Sequence, residues 1–445
     1  MVEAAHPLTS PYGAYNRRDV PREDDQLTHV GPGTLCGEWL RRFWQPVALS
    51  AELRDLPKAI RIMGEELVIF RDRGGRVGLL DRHCSHRGTS LEFGLVSERG
   101  IRCCYHGWLY DVDGRILEIP GEPAESTYKD RFYHGAYPAL EYEGLVFAYM
   151  GPPDRRPEFP IFDTYGIPGY RLVPSGQVNF LPCNWLQIKE NSMDPIHTAF
   201  LHTIVSGVQF TPAYADIGVL DWQETPTGMV YIHTRRVDDR VWVHMNDYIP
   251  PNIHQFPPTW QDAREETIFL PPMATNWSVP IDDTLTMNLG FRHVKEGEPE
   301  RYRPFGQTDD RPYEERQRQP GDYDAQVSQR PIALHALEHL VSHDRGIVML
   351  RTMVRQGIRA VERGEDPTGV VRTPGGVLPT YSNDTILRIP PASTPGKDRE
   401  LLQETGRRVA AEYLRNPSGP SREGPQQAIM GLARELAEAW SSRER

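Results

Sequence analysis

Long apolar runs are missing from this 445-residue chain. No stretch reaches the roughly eighteen apolar residues that a spanning helix needs, so no membrane segment is expected. The opening MVEAAHPLTSPYGAYNRRDVPREDD is polar and lacks the apolar centre of a secretory signal. Cysteine is scarce, with Cys36, Cys84, Cys103, Cys104 and Cys183 the only five. Such a set argues against a disulfide framework and fits a reducing cytoplasm. There is no excess of positive charge: the formal net charge is -11, which disfavours a nucleic-acid partner. No repeat at solenoid or propeller spacing is visible, which sets aside those architectures. The length is sufficient for two or three globular domains.

The scarce cysteines are not scattered evenly. Residues 84 to 108 read CSHRGTSLEFGLVSERGIRCCYHGW, giving Cys84-x-His86 and Cys103-x-x-His106. Each loop contributes one Cys and one His and ends in a glycine, Gly88 or Gly107. Two thiolates on one iron and two imidazoles on the other make a Rieske [2Fe–2S] centre. Tetrahedral zinc is the rival, but its ligands are usually paired Cys with Cys and His with His.

Around these loops the chain divides into regions of different texture. An apolar series at helical spacing, Leu35, Trp39 and Phe43, precedes Pro46. From 47 to about 150, alternating apolar residues and Gly-containing turns predict a small antiparallel β domain. The proline- and charge-rich GPPDRRPEFP at 151–160 reads as a boundary. A helical stretch is expected over 184–203, with strands over 217–236 and 283–294. A mobile polar loop is expected over 295–320, and helices over 328–341, 344–363, 400–415 and 425–440. The resulting division is an N-terminal arm and helix (1–46), a cluster domain (47–155), a second domain (156–400) and C-terminal helices (401–445).

Residues 183 to 202, CNWLQIKENSMDPIHTAFLH, hold a second candidate centre. His197 and His202 are five apart, a spacing that a regular α-helix does not bring to one face. Two-histidine ligation there requires the helix to end or bulge between them. Two histidines and one carboxylate, with positions left open, form the facial triad of non-haem Fe(II) oxygenases.

Taken together, CSHRG, CCYHGW and NWLQIKENSMDPIHTAFLH resemble the catalytic α subunits of Rieske non-haem iron oxygenases, in the phthalate-dioxygenase-like branch. The resemblance implies an α+β fold: a small antiparallel β Rieske domain and a helix-grip (START-like) catalytic domain with an antiparallel sheet and helices. It also implies the ligands: Cys84, His86, Cys103 and His106 for the cluster, and His197, His202 and a later carboxylate for mononuclear Fe(2+). In GDYDAQVSQRPIALHALEHL the resemblance points to Asp322, with Asp324 and Asp344 as alternatives. One departure is Arg330, which stands where a glycine is usual.

As the resemblance has it, Asp194 links a cluster histidine of one subunit to an iron-ligand histidine of the next, with Asn191 and Glu190 close by. The assembly is then a homotrimer or stacked hexamer. Electrons come from NAD(P)H through a flavin/iron–sulfur reductase, with or without a ferredoxin. The expected activity is mono- or cis-dihydroxylation of a small aromatic substrate, carboxylated or not, with O2. Oxidative O- or N-demethylation is the alternative, and an electron-transfer or zinc-binding module without oxygenase activity is a second one. Val205, Val208, Phe210 and Arg235 are expected to line the substrate pocket, together with the strands around 229–246 and 285–291, and Arg235 and Arg236 are positioned in sequence to clamp a carboxylate. His335, His339 and His343 repeat every four residues and are expected to share one helix face, a spacing that can bind a metal but reads first as a polar surface or interface stripe.

Overall fold

The structure, a computed structural model, is described over residues 8–16, 20–299, 310–415 and 422–443. Three small antiparallel sheets come first. Trp44–Leu49 pairs with Leu145–Tyr149, which also pairs with Ala139–Tyr142. Lys58–Ile62, Glu65–Arg71, Val77–Asp81 and Ala136–Tyr137 form the second sheet. The third, next to the two Cys/His loops, consists of Leu95–Val96, Ile101–Arg102, Leu109–Tyr110 and Ile116–Glu118. The first strand therefore starts at Trp44 and straddles the boundary expected at 46/47. Pro46 sits within it, at a register shift between Pro46 and Ala48, where a residue without an N–H is tolerated.

The second region is built on a ten-stranded antiparallel sheet whose long interior strands include Gly228–Val237, Arg240–Ile249 and Ala274–Asp282. Period-two alternation gives this sheet two buried faces. Met229 and Tyr231 belong to the core that includes Leu186, Met193, Leu350 and Val354. Val230, Ile232, Val243 and Met245 belong to the core formed with Leu401, Val409 and Leu436 of the C-terminal helices. Each fully buried aliphatic side chain contributes about 1.5–3 kcal/mol of transfer free energy, so both faces are needed to hold the helices in place. Helix Arg345–Glu362 lies against Leu35–Leu40 and Trp185–Ser192, and helix Pro395–Arg415 covers the opposite face.

The helices expected at 344–363, 400–415 and 425–440 correspond to Arg345–Glu362, Pro395–Arg415 and Glu423–Arg443. The helix expected over 328–341 does not form. A short helix, Asp322–Val327, ends before Arg330, whose φ of 84° is left-handed and cannot continue a helix. Pro331 follows, and only the 3-10 turns His335–Leu337 and Ser342–Asp344 remain. His335, His339 and His343 therefore share no helix face. The same φ accounts for the sequence departure at Arg330, because glycine adopts that region without a Cβ penalty. Within 295–320, residues 300–309 lie outside the described residues and Tyr313–Arg318 is helical. No described helix is long and apolar enough to cross a membrane.

Candidate metal centres and active-site cavity

The two cluster loops have the same backbone wiring. Cys84 N donates to Thr89 O and Gly88 N to Cys84 O; Cys103 N donates to Trp108 O and Gly107 N to Cys103 O. Gly88 and Gly107 have φ of 76° and 75°, the turn conformation that glycine reaches freely. This wiring buries both thiols while leaving His86 half-buried and His106 exposed. The two imidazole rings are 4.4 Å apart, and His86 stacks on Trp108 at 4.9 Å. Cys84 Sγ is 2.9 Å from Tyr110 Oη, and neither cysteine is in a disulfide. His86 Nδ1 is buried with no hydrogen-bond partner, as expected of an atom whose partner is a metal. Two adjacent thiols inside and two imidazoles outside fit a Rieske cluster.

The second centre is assembled by one continuous segment and one distant helix. Asn184 caps helix Trp185–Ser192, its side chain accepting from Leu186 N at 3.1 Å. After Pro195 the chain runs through helix Ile196–Ala199 into a π turn, Phe200–Ile204, closed by Val205 N donating to Phe200 O. This is the bulge that five-residue spacing demands. It brings the His197 and His202 rings to 5.1 Å. Asp322 opens helix Asp322–Val327. Gln187 fastens that segment to the histidine helix, donating to Gln326 O and Arg330 O and accepting from Ala333 N.

Asp322 Oδ1 lies 3.5 Å from His197 Nε2 and 3.2 Å from His202 Nε2. The three donor atoms fall within 4.8 Å of one another. Each ring is oriented by its other nitrogen: His197 Nδ1 bonds Asp194 O, and His202 Nδ1 bonds Gln209 Oε1 at 2.9 Å. Gln209 is itself held by Leu201 O and Pro320 O. Asn191 Nδ2 donates to Asp322 Oδ1 at 3.2 Å. Burial alone would raise the Asp322 carboxyl, but His202, His197 and Asn191 outweigh it and hold it at about 2. An ionised carboxylate facing two Nε2 atoms fits a divalent metal.

The rival carboxylates are occupied elsewhere. Asp324 is paired with Arg311 and Arg316, and Asp344 accepts from Val341 N. Asp194 is half-buried, its carboxylate accepting from Ile196 N and lying 4.0 Å from His197 Nδ1. Glu190 belongs to a separate cluster with Glu338 and His335, where Arg351 bonds both carboxylates at 2.6 Å and takes the place a cation would.

A cavity of about 520 Å³ opens on His197, His202 and Asp322. Phe210 lines it, as expected, with its ring 4.8 Å from that of His202. Three expected pocket residues do not. Val205 and Val208 leave the π turn outward and are 64% and 56% exposed. Arg235 is fully buried behind the wall, donating to Thr198 Oγ1 and Asp216 O and lying over the Tyr214 and Trp242 rings at 4.7 and 5.1 Å. Arg236 is paired with Asp398. The carboxylate clamp read from the sequence is therefore not formed. No lysine or arginine is among the described residues lining the cavity, and Asp322 is their only carboxylate.

The cavity's polar wall is formed by Tyr231, His244, Asn246 and His254; the first three lie on the strands expected around 229–246, although sequence reasoning singled out none of them, and His254 lies outside every expected pocket segment. The wall's signal was the alternation of His244 and Asn246 with Val243 and Met245 in a buried strand. Behind His254, the buried Lys189 donates to Nδ1 at 2.6 Å, and burial holds both groups well below their ordinary values.

Comparison with known proteins adds an independent line. The profile for the Rieske [2Fe-2S] domain matches residues 43–129. The oxygenase subunit of tert-butanol monooxygenase / tert-amyl alcohol desaturase from Aquincola tertiaricarbonis is 44% identical over 437 residues, covering 90% of this chain and 91% of that protein. The phenoxybenzoate dioxygenase subunit alpha of Ectopseudomonas oleovorans is 39% identical over 368 residues, covering 78% and 87%. Among solved structures, a variant of NdmA from Pseudomonas putida CBB5 with caffeine superposes with a TM-score of 0.56 at 22% identity, over 74% of this chain and 93% of that one. That last likeness is one of fold.

Proposed function

Because the chain belongs to the Rieske non-haem iron oxygenases as a catalytic α subunit, we propose that it oxygenates a small uncharged substrate, an aromatic one foremost, in the cavity above His197, His202 and Asp322. In this reading those three residues hold the mononuclear iron, and Cys84, His86, Cys103 and His106 hold the [2Fe–2S] cluster. When bound, the two groups supply electron storage and O2 activation. The protein's own contribution is orientation. Asp194 O and Gln209 fix both imidazoles with Nε2 inward, and Asn191 steadies the carboxylate.

The observation that carries the substrate class is the cavity lining, which is ring-rich and polar but offers no cation among the described residues. Phe180, Phe210, Tyr214, Tyr231, Phe256 and Tyr323 fit a planar ring. A carboxylated substrate would be desolvated there with no cationic side chain among the described lining residues to offset a cost of several kcal/mol. The tertiary alcohols in the name of the 44% identical relative favour a second uncharged class, the branched aliphatic alcohols.

As an oxygenase subunit the protein takes electrons from a reductase; a flavin/iron–sulfur one fed by NAD(P)H, in the cytoplasm, completes the proposal. Asp194, half-buried and 4.0 Å from His197 Nδ1, is suited to receive a cluster histidine from a neighbouring subunit in a homotrimer or stacked hexamer. Strand pairing supports a Rieske unit beginning near 44 and ending by 155, followed by the catalytic unit and C-terminal helices.

The test is O2 uptake by the holoenzyme with a reductase and NADH, against matched neutral alcohols, aryl methyl ethers and aromatic acids. Coupled hydroxylation of neutral compounds is expected. Turnover confined to the acids would overturn the substrate class, and formaldehyde release would identify demethylation.

A further inference from the structure

A buried carboxylate stands behind the cavity wall and holds one of the wall's rings. Asp384, on strand Asn383–Leu387, is the direct cross-strand partner of His244. It is fully buried; its Oδ1 accepts from His244 Nδ1 at 2.7 Å and from Trp242 Nε1 at 2.7 Å. Its Oδ2 has no hydrogen-bond partner. Keeping a half-satisfied carboxylate in a core is unfavourable; this one favours the charge of the buried Arg235 and also fixes a ring. With Nδ1–H committed to Asp384, His244 in its neutral form presents the Nε2 lone pair to the cavity it lines.

Beside it, Tyr231 occupies the neighbouring strand on the same face, paired in register with Asn246. Asn246 Nδ2 donates to Tyr231 Oη at 3.1 Å, so the phenol proton remains to be donated into the cavity. The Tyr231 and His244 rings are 5.9 Å apart. An acceptor and a donor thus sit side by side on one wall, neither of them an iron-ligand candidate.

We propose that Tyr231 and His244 form a subsite for a substrate hydroxyl, with Asp384 as the positioning residue that sets the His244 tautomer. The hydroxyl donates its proton to His244 Nε2 and accepts from the Tyr231 phenol, satisfying both groups at once. An ether oxygen or a methyl group leaves His244 unpaired, and a carboxylate meets a lone pair. This deepens, and rests on, the neutral-substrate reading above. It adds that the molecule is anchored by its hydroxyl, which selects the carbon presented to the metal site.

The test uses holoenzyme and two ligands of similar size, benzyl alcohol and ethylbenzene, whose hydroxyl and methyl groups exchange places. Dissociation constants are measured without O2, and kcat and KM with it. In H244F the affinity for benzyl alcohol should fall about five- to tenfold, the equivalent of one neutral hydrogen bond, while that for ethylbenzene stays within about twofold. Y231F and D384A, the latter removing the acceptor that holds His244 Nδ1–H, should show the same selective loss, and H244Q, which keeps an acceptor at the wall, should recover most of it. Each variant carries its own control in ethylbenzene binding, so a variant that misfolds is recognised and the others still decide. Equal losses for both ligands in the folded variants, or unchanged alcohol affinity in H244F, would overturn the subsite and leave the neutral-substrate reading standing. Wild-type protein that binds benzoate and neither neutral ligand would overturn both.

Discussion

Gly346 is the second residue of helix Arg345–Glu362, wedged under the segment that carries the metal-site residues. A Cβ built there would lie 2.2 Å from Trp222 Nε1 and 2.6 Å from Met193 O. Trp222 Nε1 already donates to that carbonyl at 3.3 Å, and Met193 directly precedes Asp194, whose own carbonyl orients His197. Two effects oppose each other in Gly346→Ala. Helix propensity favours alanine by up to about 1 kcal/mol. The overlap involves backbone and a buried indole, neither of which moves cheaply, and overpacking of this kind costs about 1–3 kcal/mol. The overlap should win, by about 1–2 kcal/mol. In thermal unfolding of a unit of roughly 300 residues that corresponds to a fall of about 2–3 °C. Because the Met193 carbonyl is what must shift, the mononuclear iron should also bind less tightly, while the cluster spectrum, which reports loops in another sheet, stays unchanged. Iron analysis alongside visible absorbance separates the two. A variant that melts higher than wild type and keeps its full iron would refute the packing described here and its link to the site.

Asp322→Ala removes the carboxylate between two imidazoles; iron should fall from about three atoms per chain to about two, with the Rieske absorbance retained, and loss of the cluster as well would contradict two separate centres. Asp194→Asn should keep both metals and abolish turnover; fast reoxidation of the reduced cluster by O2 and substrate in that variant would disprove the proposed bridge. Asp247 accepts from Tyr381 N and Ser382 N in the core, and burial pushes its carboxyl up to about 7. Since the folded value lies above the unfolded one, near 3.9, its stabilising contribution is complete below pH ~4 and lost as the pH rises toward 7. Asp247→Asn should therefore gain stability relative to wild type between pH 4 and 8 in urea titrations, and a difference independent of pH would show that the group does not titrate there.

The cluster loops were legible in the sequence because their chemistry is local: each ligand pair lies within four residues, and the closing glycines are set by backbone geometry alone. His197 and His202 were legible together with the need for a bulge, since helical periodicity forbids i and i+5 on one face. Helices with a strong apolar stripe, such as Arg345–Glu362, were also readable. The segment 328–341 was not, because Arg330 adopts a left-handed conformation that no apolar pattern records. Three acids competed on paper for the third ligand position. Only the tertiary structure, through Gln187 tying 326–333 to the histidine helix, brings Asp322 to both rings and sends Asp324 to two arginines. Individual pocket residues were misread for the same physical reason. Strand and turn residues point to one side or the other according to register and twist, so Val205 and Val208 turn to solvent and Arg235 into the core. Tyr231, His244 and Asp384 converge through cross-strand pairing. Composition and motif determined which metals this protein is built to hold; long-range packing decided what shape and polarity of molecule can reach them.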